Sequence, residues 1–139
     1  MSILKLGIIG KGFVGSAVSN GFDVNVDQFI VDPNYNDNTI EELVAYDVPL
    51  CFVCVPTPQQ DTHLDVDISI VREVLVGLTK SNYKGIVVIK STITPQHLTK
   101  MKKDFILKLV YNPEFLTEAN SLQDFLDPDM QILGGKWKD

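Results

Sequence analysis

Along this chain short apolar runs alternate with amphipathic stretches from end to end. Runs at residues 3–9, 24–31, 50–55, 86–89, 106–110 and 131–133 are rich in Ile, Val and Leu, as strands covered on both faces of a parallel sheet are. Stretches of helical period separate them at 14–21, 40–46, 68–79 and 95–103. In the third, Ile68, Val71, Leu75 and Leu78 share one face, and in the fourth Leu98 and Met101 point inward. Thr94 before Pro95 reads as an N-cap followed by proline in the first helical position, and Asp67 reads as the cap of the third helix. The last crossover, 112–128, is the least regular and predicts only a short helix over 119–125. The alternation predicts an α/β fold: a doubly wound, mainly parallel six-stranded sheet with right-handed crossovers and helices on both faces.

With 139 residues, 45% of them hydrophobic, the chain has enough material for one well-packed core and too little for two. A single domain over 1–139 is expected, since no repeat, low-complexity tract or linker-like shift interrupts the pattern. Eighteen acidic against twelve basic residues give a net charge of −6, which argues against nucleic-acid and membrane partners. The first apolar run is brief and contains Lys5, so it reads as a buried strand of a cytoplasmic protein rather than a leader or a membrane span. Cys51 and Cys54 lie within one apolar run, where strand alternation puts them on opposite faces. Reduced core thiols are the expectation, with a redox or metal pair as the alternative, and no metal is expected.

Gly10-Lys-Gly-Phe-Val-Gly15 follows the first strand and opens the first helix, which is the context a dinucleotide-binding glycine fingerprint requires. Gly10 permits the tight turn, Gly12 lets a pyrophosphate approach bare backbone, and Gly15 allows close packing of helix on strand; Phe13 and Val14 complete the turn. The phosphates would rest on the helix N-terminus, where N–H groups and the helix dipole favour negative charge. The second run ends at Asp32, 22 positions after Gly10, where an acidic residue binds the adenosine ribose hydroxyls. A bland turn or capping role for Asp32 is the alternative. Asp32 repels a 2′-phosphate, and 33–36 offers no arginine to receive one, so NAD is expected as cofactor over NADP. The fold is thereby read as Rossmann-type.

Val55-Pro-Thr-Pro58, Lys90-Ser-Thr-Ile-Thr-Pro95 and Tyr111-Asn-Pro-Glu-Phe-Leu-Thr-Glu118 all fall where strands end at one sheet edge. With the glycine fingerprint, Asp67-Ile-Ser, Pro128-Asp129 and Gly134-Gly135, they resemble the N-terminal NAD-binding domain of the UDP-glucose/GDP-mannose dehydrogenase family, over nearly the whole chain and in the family's order. The resemblance implies roles near the reacting sugar C6 for Thr92 and Glu114, which would order a water and help proton movement, and places Glu118 at the cofactor and substrate site. A solvent-facing charge is the alternative for Glu118. Val55, Pro56 and Thr57, with Pro58, would shape the loop against the cofactor.

The resemblance also implies a reaction: oxidation of a nucleotide sugar's C6 alcohol to the carboxylate with two NAD. UDP-glucose is favoured, with GDP-mannose and a stand-alone NAD-binding module without catalysis as alternatives. Three departures stand out. Only seventeen residues separate Asp32 from Leu50, fewer than the family's helical excursion there, and Met130 stands where the family usually has arginine. After Asp139 the family continues into a central helix and a domain carrying a catalytic cysteine, so this chain alone is expected to be inactive. The full-length enzyme is implied to be a homodimer, and this domain alone could be a monomer.

Overall fold

The computed structural model describes residues 3–22, 24–60, 65–114, 120–128 and 130–135. Strands β1 (Lys5–Ile9), β2 (Asp27–Val31), β3 (Leu50–Val53), β4 (Ile86–Ile89) and β5 (Lys108–Tyr111) form one sheet in the order β2-β1-β3-β4-β5, with every neighbouring pair parallel. Helices α1 (Phe13–Gly21), α2 (Ile40–Ala45), α3 (Ser69–Lys80), α4 (Pro95–Asp104) and α5 (Ser121–Leu126) make the connections. This is the expected doubly wound architecture with one strand fewer. At the position of the expected sixth strand, Gly134 forms only an isolated antiparallel bridge with Tyr111. Ile132 and Leu133 are exposed, so no apolar face drives that segment into a longer pairing.

Why these segments take these forms is visible in their caps and faces. Thr94 caps α4 reciprocally: its hydroxyl accepts from His97 N at 3.2 Å, while His97 Nδ1 accepts from Thr94 N at 3.4 Å. Asp67 Oδ1 accepts from Ser69 N at 2.9 Å, and the bonds from Ser69 hold its carboxyl below the usual value. Val71, Leu75 and Leu78 of α3 and Met101 of α4 are fully buried, as their spacing predicts, and Val74 joins them. Each such side chain stabilises the fold by about 1.5–3 kcal/mol.

The sheet's two faces carry separate apolar clusters. One joins Cys51, Val53 and Val55 of the β3 segment to Leu43, Val71, Leu75, Leu78 and Met101 of α2, α3 and α4. The other joins Leu6, Ile8, Val18 and Cys54 to Phe22, Phe52 and Phe125, under α1 and α5. Cys51 and Cys54 therefore face opposite sides, as strand alternation requires. Gly21 seats α5, because a Cβ there would lie 2.2 Å from the Phe125 ring.

The chain runs from β1 outward to β2, then returns to β3 on β1's other side and continues to β5. Connections leaving in opposite directions put the topological switch point beyond the carboxyl ends of β1 and β3, which in open α/β sheets is the crevice that binds ligands. On one flank β2 is the edge strand, so the short link between Asp32 and Leu50 adds α2 but no further strand.

Candidate cofactor and active site

The three fingerprint glycines prove to be needed for different reasons. Gly10 has φ +92°, and a Cβ on it would lie 2.8 Å from the Cys54 carbonyl oxygen, so the turn excludes other residues by conformation and by space. At Gly15 a Cβ would lie 1.9 Å from the Gly10 carbonyl oxygen, so α1 packs onto the loop only because the side chain is missing. Gly12 is unlike both. Its backbone is extended (φ −75°, ψ −158°), and a Cβ on it would meet nothing within 4 Å.

Among the described residues nothing demands glycine at position 12, and the bare backbone there is open to a ligand. α1 has no side-chain N-cap and no acidic residue in its first turn, an arrangement that suits an anion at its first N–H groups. These observations fit a dinucleotide whose pyrophosphate lies against Gly12. Phe13 is exposed at this entrance, whereas Val14 packs inward on the Leu6–Ile8 cluster.

Asp32 stands at the end of β2 beside this loop. Its Oδ2 accepts from Lys11 N at 2.6 Å and its Oδ1 from Asn34 N at 2.8 Å. The turn role is thus present, and it ties β2 to the glycine loop. Each carboxylate oxygen retains a further acceptor site for a ribose hydroxyl.

Across the crevice, Ser91 joins the ends of β3 and β4: its hydroxyl donates to Val55 O at 2.7 Å, and Lys90 N and Ser91 N both donate to Val53 O. This fixes Val55 and Pro56, while Thr57 is half-buried and Pro58 O accepts from Asp67 N at 2.7 Å. Thr92 follows, exposed and with no hydrogen bond among the described residues. Glu114 follows β5, but its carboxylate is not free. Lys90 Nζ lies 2.5 Å from Glu114 Oε2 as a contact ion pair and donates to Asn112 Oδ1 at 2.6 Å, with side-chain exposures of 1% for Lys90 and 10% for Glu114. Asn112 in turn donates to Gln131 Oε1 and Ile132 O at 3.0 and 2.8 Å, drawing the return segment over the site. Thr92 and Glu114 share this sheet edge without a hydrogen bond between them. Glu118 lies outside the described residues.

Lys90 and Asn112 lie inside the sequence motifs with no role assigned from sequence, as does the Lys11 side chain. The signal for Lys90 was available: a lone charge ending the apolar run Ile86-Val-Val-Ile89 must be paired if it is buried. Asn112 carries no such signal.

Cys51 and Cys54 are free and buried. Burial pushes both thiols up from 9.0 to about 12; beside Cys54, Lys90 acts against that rise and Glu114 with it. The folded chain keeps these protons while the unfolded chain releases them above 9.0, so stability should fall as pH rises from 9.0 towards about 12. Each thiol contributes up to about 1.4 kcal/mol per pH unit in that window. Urea midpoints at successive pH values check this, and Cys54→Ala should flatten the decline.

Residues 26–139 match the sequence profile described as the UDP-glucose/GDP-mannose dehydrogenase family, NAD binding domain. The chain belongs to the UDP-glucose/GDP-mannose dehydrogenase family. The profile thus gives NAD as the cofactor of this dehydrogenase domain, and because the matched stretch begins after the glycine loop, that loop's open backbone at Gly12 is a separate observation compatible with a dinucleotide.

Among its relatives is a UDP-glucose 6-dehydrogenase of Rickettsia bellii, 34% identical over 89 residues, covering 60% of this chain and 20% of the relative. The UDP-glucose 6-dehydrogenase AglM of Haloferax volcanii is 26% identical, covering 96% of this chain and 41% of the relative. The solved UDP-glucose dehydrogenase of Pyrobaculum islandicum superposes with a TM-score of 0.76 at 21% identity, over 99% of this chain and 42% of that one; at that identity the likeness speaks for the fold. The dehydrogenase domain thus spans less than half the length of each. No helix among its described residues is long and apolar enough to cross a membrane.

Proposed function

We propose that this chain is the NAD-binding half of a cytoplasmic enzyme that oxidises the C6 alcohol of UDP-glucose to the carboxylate of UDP-glucuronate, with two NAD per sugar. The observation that carries the reading is the convergence at one sheet edge. Open backbone at Gly12 and the Asp32 carboxylate stand on one side of the crevice, with Thr92 and the Lys90–Glu114 pair on the other. Bound NAD supplies the hydride acceptor. The first turn of α1 and Gly12 N–H take the pyrophosphate charge, and Asp32 accepts from the ribose hydroxyls. Thr92, whose hydroxyl has no partner among the described residues, orders a water or the sugar hydroxyl. Glu114 receives the proton, its carboxylate fixed in place by Lys90, and the family resemblance assigns Glu118 to the cofactor and substrate site. UDP-glucose is preferred over GDP-mannose on the Asn112-Pro-Glu-Phe-Leu resemblance and on the names of the relatives.

The protein expressed from its complete gene should yield two NADH per UDP-glucose, followed by NADH absorbance; one NADH per sugar, or preference for GDP-mannose, would overturn the reading. The 139-residue chain by itself should yield none. In the family resemblance the second oxidation passes through a thiolate adduct, and buried thiols raised to about 12 cannot supply a thiolate at neutral pH. Steady NADH release by this chain, abolished by Cys54→Ser, would show the nucleophile to be Cys54.

A further inference from the structure

Residues 33–36 hold no cation that could meet a phosphate on the adenosine ribose, yet the fold brings one to that place from the glycine loop. The backbone of Lys11 lies against Asp32, with Lys11 N donating to Oδ2 at 2.6 Å. Its side chain continues to Tyr35, three positions beyond Asp32, where the ammonium sits 3.8 Å from the ring centroid. The side chain therefore bridges from the glycine loop to the turn after β2, beside the position that Asp32 marks for the ribose. No carboxylate among the described residues forms an ion pair with this ammonium. Its resting place is an aromatic ring that is 56% exposed. A cation–aromatic contact at an exposed site is weak, whereas an ammonium donating to a phosphate makes a charge-assisted hydrogen bond.

We infer that Lys11 is a specificity-determining residue of the cofactor site: it leaves Tyr35 to pair with a phosphate on the adenosine 2′ oxygen, so the domain takes the 2′-phosphorylated dinucleotide NADP as well as NAD. The inference rests on the dinucleotide reading of the crevice. Asp32 sets the preference for NAD and Lys11 limits it, because discrimination is the difference between two opposed charges acting on one substituent. Tyr35 holds the lysine extended towards the ribose when that substituent is absent.

Calorimetric titration of this chain with NAD and with NADP tests the inference. The parent should bind both, NADP no more than about tenfold more weakly. Lys11→Met should weaken NADP roughly five- to tenfold while leaving NAD within about threefold, Lys11→Arg should keep the parent's ratio, and added salt should erode NADP binding more than NAD binding. Equal loss of both nucleotides in Lys11→Met, which would put the ammonium on the pyrophosphate, overturns the inference, as does no change in either. If NAD binds, and is lost in Gly12→Val, while NADP binds to no variant, the inference fails and the dinucleotide site stands. If neither nucleotide binds to the folded chain, the dinucleotide reading fails as well.

Discussion

Gly12→Val should abolish NAD binding, by about a hundredfold or more, in a chain that still folds. The lost interactions are N–H groups donating to a charged pyrophosphate, about 1.5–3 kcal/mol each, and two of them account for a loss of that size. The fold is spared because a Cβ at position 12 meets nothing within 4 Å, and its extended backbone suits valine. Helix α1 loses only a favourable N-cap residue, about 1 kcal/mol or less. Gly15→Val is the contrasting variant. There a Cβ would lie 1.9 Å from the Gly10 carbonyl oxygen, so α1 must lift off the loop and the chain should fail to reach a native melting transition. Calorimetric titration with NAD, paired with thermal denaturation of both variants, checks the contrast. NAD binding unchanged in Gly12→Val would remove the pyrophosphate from this loop.

Lys90→Met should be strongly destabilising. Lys90 is 1% exposed at its side chain and Glu114 10%, so methionine would fill much of the space while leaving a carboxylate enclosed without its cation. Breaking a buried pair in this way costs about 3–5 kcal/mol, whereas removing both charges together is far less harmful. For a domain of this size the single variant should melt on the order of 10 °C lower. Lys90→Met combined with Glu114→Gln should recover most of that loss. A double variant no more stable than Lys90→Met alone would show that Lys90 stabilises the fold through Asn112 rather than through Glu114. The Asn112 bond is the other candidate because it also holds Gln131 and Ile132 over the site.

The sequence by itself determined the layered α/β alternation, the faces of α3 and α4, the Thr94 cap and the place of the glycine loop. These rest on period, capping chemistry and turn residues, which act between positions close in the chain. Periodicity failed at residues 131–133 because an apolar run specifies a strand only where another face covers it, and here Ile132 and Leu133 remain exposed.

What only the tertiary structure decided lies between positions distant in sequence. Gly10, Gly12 and Gly15 are the same letter in one motif, and only the distances from each to Cys54, to empty space and to Gly10 itself separate a tight turn, an open backbone and close helix packing. In the sequence Thr92 and Glu114 stand as individual polar groups. The fold leaves the first exposed and locks the second to Lys90 and thereby to Asn112, because β4 and β5 end side by side and a lysine closing a buried strand must find its counter-charge on the neighbouring one. Lys11 meets Asp32 and Tyr35 for the same reason: β1 and β2 are parallel neighbours, so the loops beyond their carboxyl ends meet, and a pattern read along the chain holds no record of that meeting.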